Sequence, residues 1–310
     1  MSGGRVLPNV NSMEKAEDNS VRIAGSLARK HPAASYFILV FIISWGGVLW
    51  VVRSTSMPAT PEETTRFFPF ALITMLAGPT LAGLLTMGYV RGVAGFKSLL
   101  SNLVKWKVGL QWYALAIMTI PILTGGLLWL LSQTWSIVYL PNIVTEEEKS
   151  RLVISGVAIG LAAGFFEEIG WTGFATPILR KKYSVLVAGL ILGAVWGLWH
   201  VLVTWWASSD ISSELSRDLL LPPLVFYVGV LPAYRVLMVW VYDRTESLLI
   251  SILMHASLTT CTISLLLPPA TGTPLIKYYI ILTIALYAVI ANLLSSSAPM
   301  FQKKLSNNSL

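Results

Sequence analysis

Apolar stretches long enough to cross a bilayer recur along almost the whole chain, and short clusters of charge separate them. Spanning about 30 Å of hydrocarbon takes roughly 20 helical residues. Eight stretches meet that length, near residues 35–52, 67–90, 108–133, 152–179, 185–207, 224–242, 248–267 and 275–294. None shows the short alternating segments of a membrane strand barrel. The pattern predicts an all-α, polytopic membrane bundle of about eight transmembrane helices. Residues 35–294 form its single body, and 1–34 and 295–310 are polar tails. No cleavable signal is expected, because the first apolar run opens only at Ser35 and no processing site comes after it.

Composition sharpens this picture. The 310 residues are 55% hydrophobic and 12% charged, with a mean hydropathy of +0.69, whereas soluble domains carry roughly 25% charge. With the N-terminus inside, fifteen Lys and Arg fall on segments of that side and five on the other. The positive-inside rule then puts both termini in the cytoplasm, and size and loops suit a prokaryotic plasma membrane. The same asymmetry accounts for the net charge of +7 with membrane lipids, not nucleic acid, as the expected partner. Residues 91–107, with Lys97, Lys105 and Lys107 among apolar neighbours, read either as an interfacial helix or as a solvated loop. The run Glu146-Glu147-Glu148 reads as a solvated loop or helix start. The stretch 208–223 reads as an external loop or a short amphipathic helix over a cavity. The single cysteine, Cys261, lies in the seventh stretch, so no internal disulfide is possible.

Against this background two adjacent carboxylates, Glu167 and Glu168, stand inside the fourth stretch. Each costs about 2.5–3.5 kcal/mol at the bilayer centre even on the lenient insertion scale, which marks them as a functional site. Of three histidines, His200 and His255 lie in the fifth and seventh stretches, and only His31 belongs to a polar tail. Glu167 lies eleven residues after Gly156, on the stripe of Gly156, Gly160 and Gly164; His200 lies eleven after Gly189, on the stripe of Gly189, Gly193 and Gly197. Small-residue stripes let membrane helices approach closely. The expectation is that the fourth and fifth helices pack on each other, with Gly170 opposite Gly197. Helical rise puts Glu167 roughly 18 Å, His255 about 12 Å and His200 about 25 Å from the cytoplasmic ends. Tilt and a helix break near Gly170, Gly173 and Pro177 would close that spread.

Carboxylates and imidazoles in a dry cavity suit hydrolysis by two routes. A buried carboxylate takes a proton from water that imidazoles orient. Alternatively Glu167, His200 and His255 hold zinc with an open fourth position, and the second Glu serves as base. No GxSxG and no HExxH competes. A proton-coupled transporter would use the same groups as a relay, although no internal repeat supports it.

The runs Glu167-Glu168-Ile169-Gly170-Trp171-Thr172-Gly173-Phe174, Trp196-Gly197-Leu198-Trp199-His200 and His255-Ala256-Ser257-Leu258-Thr259 resemble the three motifs of the CPBP intramembrane proteases. These are the CAAX prenyl endopeptidase and bacteriocin-processing (Abi-type) family. The resemblance covers about 150–265 and includes Tyr242-Asp243-Arg244-Thr245-Glu246-Ser247-Leu248. It implies an intramembrane endopeptidase acting on a membrane-associated or lipidated peptide. In it Glu167 activates water, His200 positions the water or binds a metal, and His255 binds the metal or stabilises the oxyanion. Glu168 is the second carboxylate. Thr259 stands where the family has Asn, and a hydroxyl still donates. Thr172 replaces an Arg and Trp196 a common Phe. Arg235, in the sixth stretch, is the expected substitute cation for Glu168; otherwise it snorkels to the inner surface. The departures also leave open a non-proteolytic immunity or scaffold protein of the same fold. Oligomeric state is not legible.

Overall fold

A computed structural model describes residues 28–307, and among them eight helices are long and apolar enough to cross a membrane. They are α1 (Pro32–Val51), α2 (Pro61–Leu103), α3 (Leu110–Thr134), α4 (Lys149–Arg180), α5 (Val185–Trp206), α6 (Arg217–Thr245), α7 (Leu248–Leu265) and α8 (Gly272–Asn307). The expected N-terminal tail lies, up to residue 27, outside the described residues. At the other end α8 runs on past residue 294, so the helix continues into the stretch read as a tail.

Local chemistry explains where the helices begin and bend. α2 starts at Pro61, six residues before the expected apolar run. The Thr60 hydroxyl accepts from the Glu63 amide while the Glu63 carboxylate accepts from the Thr60 amide, a capping box ahead of a proline. Gly92 breaks the helix at φ +58°, a left-handed conformation that costs glycine little. Beyond it residues 93–103 form a second helical leg, with Val93 and Leu100 exposed and Gly95 buried. Of the two readings of 91–107, the helical one therefore holds up to Leu103. The stretch 208–223 divides between its two readings: 208–216 is a tight loop closed by a Ser209–Leu215 bridge, and 217–223 is the helical start of α6, whose Asp218, Leu219 and Pro222 line a cavity.

Packing between helices departs from the expectation in one respect. The two glycine stripes do not face each other. The α4 stripe receives α7: a Cβ on Gly160 would sit 2.7 Å from the Ala256 carbonyl oxygen, and one on Gly164 2.6 Å from that of Ile252. The α5 stripe receives α6, where a Cβ on Gly193 would lie 2.3 Å from the Pro232 Cα and one on Gly197 2.4 Å from the Tyr227 carbonyl oxygen. Gly170 does not oppose Gly197. It meets Pro79 and Gly83 of α2. A glycine stripe specifies that some backbone comes close, not which one; away from their joined ends α4 and α5 meet through long side chains, Trp196 with Glu167 and Trp199 with Trp171.

Among the described residues three helices also carry a π-helical turn: Trp171–Ala175 in α4, Phe226–Val230 in α6 and Thr260–Leu265 in α7. The helix break expected near Gly170 and Gly173 takes this form. Each π turn inserts an extra residue and rotates the remainder of its helix, a feature found mostly at functional sites.

These contacts distinguish glycines that must be glycine from those that need not be. Gly164→Val should cost about 1–3 kcal/mol through overpacking against α7 backbone. Gly126→Ala in α3, where a Cβ meets nothing within 4 Å, should stabilise by about 0.5–1 kcal/mol. Unfolding in detergent reads both, and a Gly164→Val protein as stable as wild type would refute the α4–α7 register.

Candidate active site

The second half of α4 brings two carboxylates into the bundle interior on adjacent residues, and they serve different neighbours. Glu168 is fully buried. Its Oε2 accepts from Arg235 Nη1 at 2.8 Å and from the Thr172 hydroxyl one turn later, and its Oε1 lies 2.7 Å from His255 Nδ1. Arg235 is likewise 0% exposed, so it does not snorkel. Its guanidinium lies 4.2 Å from the centre of the Trp196 ring, a cation–π contact that supplements the ion pair. The residue replacing the family's Arg is thus a donor to the same carboxylate that Arg235 reaches from α6.

Glu167 is held differently. Its Oε2 accepts from the indoles of Trp196 at 2.8 Å and Trp171 at 3.3 Å. Its Oε1 faces His255 Nε2 at 3.9 Å, beyond hydrogen-bond distance. A carboxylate only accepts, so His255 donates Nδ1–H to Glu168 and turns Nε2 toward Glu167. One carboxylate orients the imidazole, and the other stands across a gap that one oxygen atom can bridge.

His200 has its own support. Its Nδ1 donates to the Trp196 carbonyl at 2.8 Å, which fixes the tautomer and leaves Nε2 as the other ring nitrogen. The ring stacks on Tyr227 at 4.9 Å and 22°, and the Tyr227 hydroxyl shares a 2.7 Å hydrogen bond with Thr204. Gly197 lets this happen, since the backbone of Tyr227 occupies the place of its missing side chain.

Glu167, His200, His255 and Thr259 line one cavity of about 520 Å³. Its remaining walls are mainly apolar, from Phe68, Leu72, Val203, Phe226 and Leu258 among others. Glu168 does not line it; it sits behind Glu167 and His255. All five residues singled out in the sequence therefore belong to one region, with Glu168 one layer back. Sequence reasoning missed the roles of Trp171, Trp196 and Tyr227. Trp196 was visible only as a departure from Phe, and the indole N–H that a Phe lacks is what holds Glu167.

Zinc was the alternative for Glu167, His200 and His255. Among the described residues no three His, Cys, Asp or Glu side chains come together as a ligand set. The 3.9 Å between Glu167 and His255 also exceeds the roughly 3.4 Å between two ligands on a tetrahedral zinc. As arranged, these side chains do not fit the ion.

Comparison with known proteins converges on the same segment. Residues 149–261 match the family described as type II CAAX prenyl endopeptidase Rce1-like. A curated relative, CAAX prenyl protease 2 of Methanococcus maripaludis, is 27% identical over 95 residues, which cover 31% of this chain and 35% of that protein. The chain thus spans about a third of the length of the relative it matches.

The buried pair yields a test that involves no substrate. Removing one partner leaves an uncompensated buried charge, so Arg235→Gln should cost about 3–5 kcal/mol. Lys105→Gln breaks the exposed pair with Glu246 and should cost no more than about 1 kcal/mol. Equal, small losses in detergent unfolding would contradict the fully buried ion pair.

Proposed function

With a 149–261 core that matches the Rce1-like CAAX prenyl endopeptidase family, we propose that the protein is an intramembrane endopeptidase cleaving a membrane-associated or lipid-anchored peptide. The observation that carries this reading is the free oxygen of Glu167 facing the free ring nitrogen of His255 at the floor of an otherwise apolar cavity. A water held by these two acceptors points both hydrogens at them and leaves a lone pair for the scissile carbonyl.

In this reading Glu167 takes the proton of the attacking water and later delivers it to the leaving amine. The Trp171 and Trp196 indoles anchor one oxygen of Glu167, so the other stays aimed at the water. Glu168 acts as an orienter: its hydrogen-bond partners Thr172, Arg235 and His255 all donate to it, and it fixes His255 with the proton on Nδ1. The Thr259 hydroxyl, one turn beyond His255 on the cavity wall, donates to the oxyanion. His200, held by Trp196 and Tyr227, positions the peptide or the water through Nε2. The positive-inside bias supports a bundle whose lysine-rich end faces the cytoplasm.

The test is cleavage of fluorogenic lipid-anchored peptides in proteoliposomes. Glu167→Gln and His255→Ala, with unfolding temperatures confirming intact folds, should lower turnover by about 10²–10⁴-fold. Thr259→Val should lower it by about 10²–10³-fold, and Thr259→Asn should retain it. Wild-type protein that cleaves nothing across a broad library, with its cellular phenotype retained in Glu167→Gln, would establish the immunity or scaffold reading instead.

Metal analysis of the active protein separates the two hydrolytic routes. A zinc stoichiometry near zero is expected for a carboxylate-activated water. A value near one, lost in His200→Ala, would move Glu167, His200 and His255 into a ligand set.

A further inference from the structure

The cavity occupies only one half of the bundle. Its lining comes from the first turns of α2 (Phe68, Leu72), the first part of α6 (Asp218, Leu219), the last turns of α5 (Val203, Thr204) and the loop just after it (Ala207, Ser208). The residues ahead of α8, Ala270 and Thr271, complete the rim. All these positions lie at the end of the bundle where the loops 52–60, 135–148, 207–216 and 266–271 run. Asp218, Leu219 and Thr271 are exposed there, so the cavity opens at that end.

The opposite end is closed by packing and by specific bonds. Arg180 grips Asp243 through two parallel hydrogen bonds, tying the last turn of α4 to that of α6. Asn102 donates to the Tyr242 hydroxyl at 3.0 Å, and Ser247 to the Lys105 carbonyl at 2.7 Å, which draws the α2–α3 connection over the start of α7. Between this seal and the Glu167 floor lie Trp171, Phe174 and Arg235, all fully buried.

The two ends differ sharply in charge. Among the described residues the closed end, 28–31 with 91–109, 180–184 and 243–247, carries ten Lys and Arg against two carboxylates. The open end, 53–66 with 135–151, 207–218 and 266–277, carries six against eight. Basic segments next to short membrane helices stay on the cytoplasmic side, where they meet anionic lipid. At the closed end the leg after Gly92 adds a surface of that kind: Val93, Phe96 and Leu100 are exposed along one side of a helix that also carries Lys97.

We infer that the active-site cavity opens away from the cytoplasm, and that the substrate is a polypeptide whose apolar segment enters from the outer leaflet or the extracytoplasmic face. This rests on the endopeptidase reading and narrows it. A mainly apolar shaft with a polar rim of Ser208, Asp218 and Thr271 takes an amphiphilic chain whose apolar part descends to Glu167 and whose polar part stays at the rim. A lipid-modified protein tail confined to the cytosol would meet the sealed end.

Single cysteines placed in a Cys261→Ser protein test the inference without any need for turnover. Thr271→Cys reports the rim and Lys182→Cys the closed end, and both positions are exposed. A membrane-impermeant maleimide added to intact cells should label Thr271→Cys fully and leave Lys182→Cys unlabelled until the membrane is permeabilised. The reverse pattern would overturn the inference whether or not the protein is a protease. In parallel, proteoliposomes sorted for orientation by the same labelling should cleave a peptide offered from the rim side and lose cleavage when it is offered only from the lysine-rich side. Cleavage from the lysine-rich side alone would also overturn the inference. Labelling as expected with no cleavage from either side would sink the protease reading and leave the direction of opening standing.

Discussion

Everything at the floor of the cavity depends on one fully buried ion pair. Glu168 and Arg235 are both fully buried and lie 2.8 Å apart, and neither charge is tolerable there alone. Their union ties α4 to α6, and through His255 Nδ1 it reaches α7. The Arg235 guanidinium lies over Trp196 of α5, whose indole in turn holds Glu167. Four helices are thus locked to one another around a single carboxylate. The imidazole and the second carboxylate inherit their positions from it.

This arrangement divides labour between two chemically identical neighbours. Successive helix positions point about 100° apart, so one Glu turns into the packed interior while the other reaches the cavity. Environment then differentiates them: Glu168 meets a cation, a hydroxyl and an imidazole N–H, whereas Glu167 meets two indoles and open space. The π turn that begins at Trp171 comes directly after them, and the Thr80 hydroxyl bonded to the Phe166 carbonyl fastens α2 just ahead of the pair.

Much of this was legible in the sequence, and the reasons for what was not are physical. Eight spans follow from length and hydropathy, because a bilayer leaves a chain few alternatives. Glu167, Glu168, His200 and His255 stood out because ionisable groups are expensive there. Arg235 stood out for the same reason, and a cation was wanted once Thr172 took the place of Arg. The partners of the glycine stripes were not legible, since small residues advertise close approach without naming who approaches. The service of Trp196 to Glu167 was hidden because tryptophan in a membrane protein reads first as an interfacial residue. Tyr227 gave no signal at all: its place beside His200 depends on a π turn and on Gly197, neither of which a helical wheel reveals.

The glycine contacts have a consequence for how such a protein diversifies. Where α5 meets α6, backbone lies directly on backbone at Gly193–Pro232 and Gly197–Tyr227, so the spacing of these two helices is frozen, while side chains of both, Val203 and Phe226 among them, line the cavity. The α2 wall is built from side chains, Phe68, Leu72 and Met75, which can be traded for others of similar volume at modest cost. Descendants of this chain are free to reshape the cavity through such side chains, while the fixed α5–α6 spacing keeps Trp196 against Glu167 and Tyr227 against His200.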